Sequence, residues 1–248
     1  MATRNPSKLK IAAWLFAVYI LSFICYIPSL LERHGISLPP VLFHIKYLFV
    51  CVPAVTAVLL LFHEHSLKTY FTRMFSGKIT SPHILLWFTL AAAGISVSYC
   101  YSAVTGIDIF QNAYPTTAAW VVGSIYLFIM GFIEEIAWRG FLLERVSSEE
   151  ESVFNVVFVG IVWTIWHMPM WIIRNSLSTA EVLYLCLWTM LVAFILGTAY
   201  YHCRNILFAA LLHATFNVCY PAPVQYNIAA AAMIVVIGTL LAKRNSSA

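Results

Sequence analysis

Few residues of this chain can do acid–base chemistry away from water, and those few recur at helical spacing. The stretch FIEEIAWRGFLLER sets two adjacent acids, Glu134 and Glu135, ahead of Arg139. A second stretch, WTIWHMP, places Trp163 four residues before His167, and a third, LLHATFN, places His213 four residues before Asn217. Side chains four apart lie on one face of a helix. Glu135 and Arg139 are therefore expected to form an ion pair that offsets two costly charges, leaving Glu134 as the free acid. The same interval sets an indole beside the His167 imidazole and points His213 and Asn217 toward one partner.

The chemistry follows from these members. A carboxylate with an imidazole can hold and deprotonate a water, while a second imidazole and an amide are donors suited to an oxyanion. That describes a hydrolase for an acyl bond. It needs no Ser or Cys nucleophile, and no G-x-S-x-G elbow occurs in the chain. Glu134, His167 and His213 would also make an acceptable ligand set for Zn²⁺ with an open water position. Asn217, a poor zinc ligand but a good donor, favours the metal-free alternative.

The elements that must carry these residues are membrane spans. Of 248 residues, 62% are hydrophobic and 10% charged, with a mean hydropathy of +0.85, well outside the composition of a water-soluble domain. Eight apolar stretches approach the length needed to cross hydrocarbon, at about 11–31, 41–62, 83–105, 117–143, 153–173, 182–201, 205–220 and 224–242. The seventh is short, so it is expected to tilt or to sit deep beside its neighbours. The fold class is all-α: a polytopic transmembrane bundle of about eight spans, one membrane domain over 1–248, with no internal repeat and the site inside the membrane. Charge within a span is expensive, which makes each ionisable residue there a functional candidate. Measured from the cytosolic helix ends, Glu134 lies ~14 Å deep, His213 ~13 Å and His167 ~20 Å. The three helices can thus bring these groups to a shared layer.

Orientation follows from Lys and Arg. With the N-terminus in the cytosol, Arg4, Lys8, Lys10, Lys68, Arg73, Lys78, Arg145, Arg204, Lys243 and Arg244 fall inside, while Arg33 and Arg174 fall outside. Both termini are expected to be cytosolic, with the first span a retained signal anchor, because Glu32-Arg33 stand where a cleavage site would need small residues. Glu149-Glu150-Glu151 reads as a solvated turn. The formal charge of +4 suits anionic lipid and gives no reason to expect nucleic acid. Six cysteines show no C-x-x-C and are expected to be free thiols. His63-Glu64-His65 lacks H-E-x-x-H spacing and reads as a solvated loop. Trp163 and Trp166 read as packing residues, and Pro169 as a kink that frees the Ile165 carbonyl.

At the three motifs the sequence resembles the CAAX prenyl endopeptidase family, also called the Abi or CPBP intramembrane proteases, which includes bacteriocin self-immunity proteins. The family pattern is E-E-x-x-x-R, F-x-x-x-H and H-x-x-x-N on separate transmembrane helices. Order, spacing and span placement agree over about 117–220, while the first three spans match only in being hydrophobic. The resemblance implies a glutamate-dependent endopeptidase in which Glu134 and His167 activate water and His213 and Asn217 form the oxyanion site. Glu135 would orient through Arg139, and no cofactor is implied. Trp163 stands where the family has Phe, which bears on specificity more than on catalysis. Expected partners are the lipid bilayer and a membrane-associated protein or peptide, either CAAX-type or of the secreted or bacteriocin type. Two other classes remain. A non-catalytic immunity protein or chaperone would keep the fold without turnover, and a transporter would use the buried acid and histidines as a proton relay. Against the transporter, the two halves show no paired broken helices.

Overall fold

The computed structural model describes residues 8–147, 152–174 and 177–246, with side chains described except at Phe43, Arg174 and 237–246. The acidic turn at Glu149–Glu151, the basic residue Arg4 and the last two residues lie outside the described residues, as do the side chains of Lys243 and Arg244. Every described element is helical. In chain order they are α1 (Lys8–Ile24), α2 (Ile27–Arg33), a 3-10 helix (Pro40–Val50) running into α3 (Cys51–His63), α4 (Leu67–Met74), α5 (Ser81–Thr105) and α6 (Ile109–Ala113). There follow α7 (Thr117–Glu135), which widens into a π-helix over Ile136–Leu143, α8 (Glu144–Val146) and α9 (Val153–Pro169), which widens into a π-turn over Met170–Arg174. The chain ends with α10 (Thr179–Cys203), α11 (Ile206–Cys219) and α12 (Val224–Ser246).

Among the described residues five helices are long and apolar enough to cross a membrane: Pro40–His63, Ser81–Thr105, Thr117–Val146, Val153–Ile173 and Thr179–Cys203. A sixth exists if α1 and α2, bent by 41°, form one span. Large apolar side chains such as Phe62, Leu85, Val122 and Leu187 are exposed along these helices. That pattern suits a lipid surround. The chain is an all-α, polytopic helical protein. Among the described residues, eight apolar stretches thus become five or six long helices plus shorter ones; local chemistry explains the first and the seventh, and the eighth lies in α12, whose side chains are described only to Val236. The first stretch breaks at Cys25-Tyr26, and Pro28 then sits in the first turn of α2. The seventh is held to 14 residues, about 21 Å of rise, because Asn205 caps its start by accepting the Leu207 N–H and Pro221 and Pro223 follow its end. The short α11 is nonetheless buried along most of its length, packed against α5, α7 and α10. It is a core helix surrounded by spans.

Three caps fix where the site helices begin. Thr116 accepts the Ala119 N–H at 3.0 Å ahead of α7, Ser152 accepts the Phe154 N–H at 3.2 Å ahead of α9, and Ser178 and Glu181 form a capping box on α10. Each satisfies donors that a helix start leaves without intrahelical partners. Pro169 is passed without ending the helix; the backbone relaxes into the wider π-turn instead, a known accommodation in helices.

The end of the bundle that carries most of the basic residues is tied by charge. Glu64 pairs with Lys10 at 3.0 Å and, closely, with Arg145, while Glu144 takes Arg204 at 2.6 Å and the Tyr200 hydroxyl at 3.1 Å. The His63-Glu64-His65 segment is therefore not simply solvated, since its acid links α1 to α8. Burial raises the Glu64 pKa, but hydrogen bonds and charge from Arg145 and Lys10 outweigh it and hold the carboxyl below its ordinary value. All six cysteines are free.

Candidate active site

Two adjacent acids at the end of α7 face different helices. Successive residues of an α-helix are about 100° apart, so Glu134 and Glu135 cannot share a face. Glu134 points to α9, where its Oε2 accepts the indole N–H of Trp163 at 2.9 Å. The same oxygen lies 4.0 Å from His167 Nε2. Glu135 points to α11 and back along its own helix, and its Oε1 accepts from Arg139 Nη1 at 2.8 Å and from His213 Nδ1 at 2.9 Å. Glu134, Glu135, Arg139 and His213 are all buried, and His167 is nearly so, with 14% of its side chain exposed.

The imidazole tautomer at His167 can be deduced. Its Nδ1 lies 2.8 Å from the Trp163 carbonyl, which only accepts, so Nδ1 carries the hydrogen. In the neutral ring Nε2 is then a bare lone pair aimed toward Glu134. Around it stand aromatic walls: Trp163 at 4.9 Å and Trp166 at 4.8 Å edge-on, and Trp171 stacked at 5.5 Å and 16°. Trp166 is anchored by its own N–H on Ser22 Oγ at 2.9 Å, and the Tyr19 hydroxyl donates to the Val162 carbonyl at 2.8 Å. The bent N-terminal helix pair thus braces α9 from outside.

Arg139 connects the two halves. Besides its pair with Glu135, it reaches the Ala193 carbonyl at 3.4 Å, and its guanidinium lies 4.7 Å from the centre of the Trp163 ring, a cation–π distance. His213 meets that ring edge-on at 5.4 Å. Close approach of α11 to α7 is permitted by Gly131, where a Cβ would lie 3.1 Å from His213 Cγ. Any larger residue there presses on the imidazole.

Of the residues singled out by spacing, the structure gathers Glu134, Glu135, Arg139, Trp163, His167 and His213. Asn217, four residues after His213, is exposed. Four residues advance a helix by about 6 Å and turn it by about 40° beyond a full circle, so the amide lies at the rim of the buried layer that holds His213 rather than inside it. The 4.0 Å gap between Glu134 and His167 and the exposed Asn217 leave the polar cluster open on that side. Among the described residues no three His, Cys, Asp or Glu side chains are arranged to hold a metal ion; the Nδ1 of His213 is committed to Glu135. Sequence reasoning missed the Glu135–His213 bond, the Trp163–Glu134 bond and the role of Gly131. Gly131, four residues before Glu135, was the one signal available, a small residue on a face that also carries a charge.

Comparison with known proteins bears on the same stretch. Residues 116–219 match the type II CAAX prenyl endopeptidase Rce1-like family. A protein named CAAX prenyl protease 2, from Methanococcus maripaludis, is 26% identical over 114 residues. That similarity covers 44% of this chain and 42% of the relative, so the chain matches less than half the length of its curated relative. Both findings support the family that the three motifs resemble, and the family match spans α7 to α11.

Proposed function

We propose that this chain is an intramembrane endopeptidase that uses water held between Glu134 and His167. The observation that supports it is the 4.0 Å separation of Glu134 Oε2 and His167 Nε2. Both atoms are acceptors, so they cannot bond to each other, and what belongs between them is a molecule with two donors. A water about 2.8 Å from each would subtend about 90° at its oxygen, close to its own hydrogen geometry. One acceptor takes the proton as the water oxygen attacks the peptide carbonyl carbon, and the C–N bond then breaks with that proton delivered to the leaving nitrogen. His213 Nε2, in the doubly protonated ring, and the Asn217 amide are the donors for the oxyanion. The reaction as written needs no metal.

The name carried by the relative makes a prenylated C-a-a-X protein the first substrate class to try, and a secreted or bacteriocin-type peptide the second. Wild-type protein and variants in liposomes are given a farnesylated C-a-a-X peptide, and products are read by mass spectrometry. Glu134→Ala and His167→Ala should each abolish cleavage in folded protein, because losing one member disables the unit. Asn217→Ala should retain activity reduced by roughly 10²–10³. Chelators should leave wild-type turnover unchanged, and purified active protein should carry no stoichiometric zinc. Turnover unaffected in both alanine variants would overturn the proposal in favour of a non-catalytic membrane protein.

A further inference from the structure

We infer that Trp163 is the positioning residue of this site: its indole N–H fixes Glu134 and its main-chain carbonyl fixes His167, so one residue sets the gap between acid and imidazole. The inference deepens the hydrolase reading and rests on it. The indole N–H is spent on Glu134 Oε2, the oxygen that faces His167 Nε2, at 2.9 Å. A carboxylate oxygen has two lone pairs. With one taken by the indole, the carboxyl group cannot rotate away, and the other stays available on the imidazole side. The Trp163 carbonyl meanwhile holds His167 Nδ1 at 2.8 Å, which keeps the Nε2 lone pair aimed across the gap.

The residue is itself rigidly held. Trp163 is 3% exposed, its ring lies under the Arg139 guanidinium at 4.7 Å, and the edge contact with His213 closes another side. It therefore touches Glu134, Arg139, His167 and His213, members of both halves of the cluster. Phe at this position would keep a ring and the carbonyl but lack the N–H. Glu134 would then lose the donor that pins Oε2, and the site would rely on packing alone to place its acid.

The test separates the N–H from the ring. β-(3-benzothienyl)alanine, introduced at 163 by nonsense suppression, preserves the ring outline and replaces N–H by sulfur; Trp163→Phe removes part of the ring as well. With the farnesylated C-a-a-X peptide as probe, both variants should lose roughly 10- to 100-fold in kcat, the worth of one hydrogen bond to a charged group. KM should stay within about twofold, and the benzothienyl protein should melt near wild type. A second readout does not depend on catalysis. In ¹⁵N-indole spectra of detergent-solubilised protein, the signal that disappears in Trp163→Phe should move upfield in Glu134→Ala. Unchanged kcat in the benzothienyl protein, or an indole signal indifferent to Glu134→Ala, overturns the assignment. Should the wild type cleave no peptide, the hydrolase reading falls, and the indole signal alone decides whether Trp163 holds Glu134.

Discussion

Removing either partner of the Glu135–Arg139 pair should damage the protein unequally, and the structure says which way. Both groups are fully buried, at 0% and 1% exposure, and breaking a buried pair costs about 3–5 kcal/mol because one charge is left uncompensated. What remains to the survivor differs. After Arg139→Ala, Glu135 keeps the His213 N–H at 2.9 Å, and an imidazolium there would neutralise it. After Glu135→Gln, Arg139 keeps a carbonyl at 3.4 Å and the Trp163 ring, neither of which carries a formal charge, and it feels the Glu134 charge only beyond ion-pair contact. Glu135→Gln should therefore sit near the upper end of that range and Arg139→Ala near the lower end. At about 2–4 °C per kcal/mol for a protein of this size, the apparent Tm should fall by about 6–20 °C across the two. Thermal unfolding in one detergent, followed by size-exclusion fluorescence, reads the order directly, and the double variant should cost less than the sum of the singles. Equal small losses, or a larger loss for Arg139→Ala, would show that His213 does not compensate Glu135 as the geometry requires.

Three further outcomes are expected. Gly131→Ala brings a methyl to 3.1 Å from His213 Cγ, so it should lower kcat with the farnesylated peptide about tenfold or more, since small misplacements of a donor are costly, while Gly123→Ala, against ordinary contacts on the same helix, should not. Glu64, with its folded pKa held below the ordinary value, contributes stability that is full above its unfolded pKa and is lost as pH falls through the lower folded one; the Tm advantage of wild type over Glu64→Gln should be constant from pH 7 to about pH 5 and shrink progressively as pH falls below the ordinary carboxylate range. Cysteine labelling should place the N-terminus, the 63–82 segment and the C-terminus on the cytosolic side; exclusive labelling of 63–82 from outside would invert the orientation.

The intrahelical contacts were legible in the sequence and the interhelical ones were not. The Glu135–Arg139 pair and the Trp163–His167 contact follow from a spacing of four, which any α-helix turns into adjacency, and both are formed. The Glu135–His213 bond joins residues 78 apart and the Trp163–Glu134 bond residues 29 apart. Those depend on the rotation of each helix about its axis, which packing sets and hydropathy does not record. The same limit affects the span count. Hydropathy averages over Cys25-Tyr26 and over Asn205, but a break, a cap and two prolines end helices without lowering the average much. Asn217 shows the limit of the spacing rule itself: four residues leave a residual rotation, and on a helix packed on several sides that rotation separates a buried His213 from an exposed amide.

The adjacency of Glu134 and Glu135 carries a consequence for how such a site is held together. Because neighbours on a helix diverge by about 100°, a single turn of α7 addresses two helices at once: Glu134 engages α9 and Glu135 engages α11. The acid facing α9 has a neutral donor in Trp163, whereas the acid facing α11 has a cation in Arg139 and a proton donor in His213. Two donors converging on its Oε1 suit the second to a fixed, orienting role, though its Oε2 makes no hydrogen bond, and a single neutral donor leaves the first with lone pairs for chemistry. The two halves are still not independent, since the cation that neutralises Glu135 rests on the ring that donates to Glu134. A change at Arg139 should therefore be felt at Glu134 through Trp163, and in a double-mutant cycle Arg139→Ala and Trp163→Phe should be non-additive in kcat even though they alter opposite halves of the cluster. Strict additivity would mean that the guanidinium and the indole are merely adjacent.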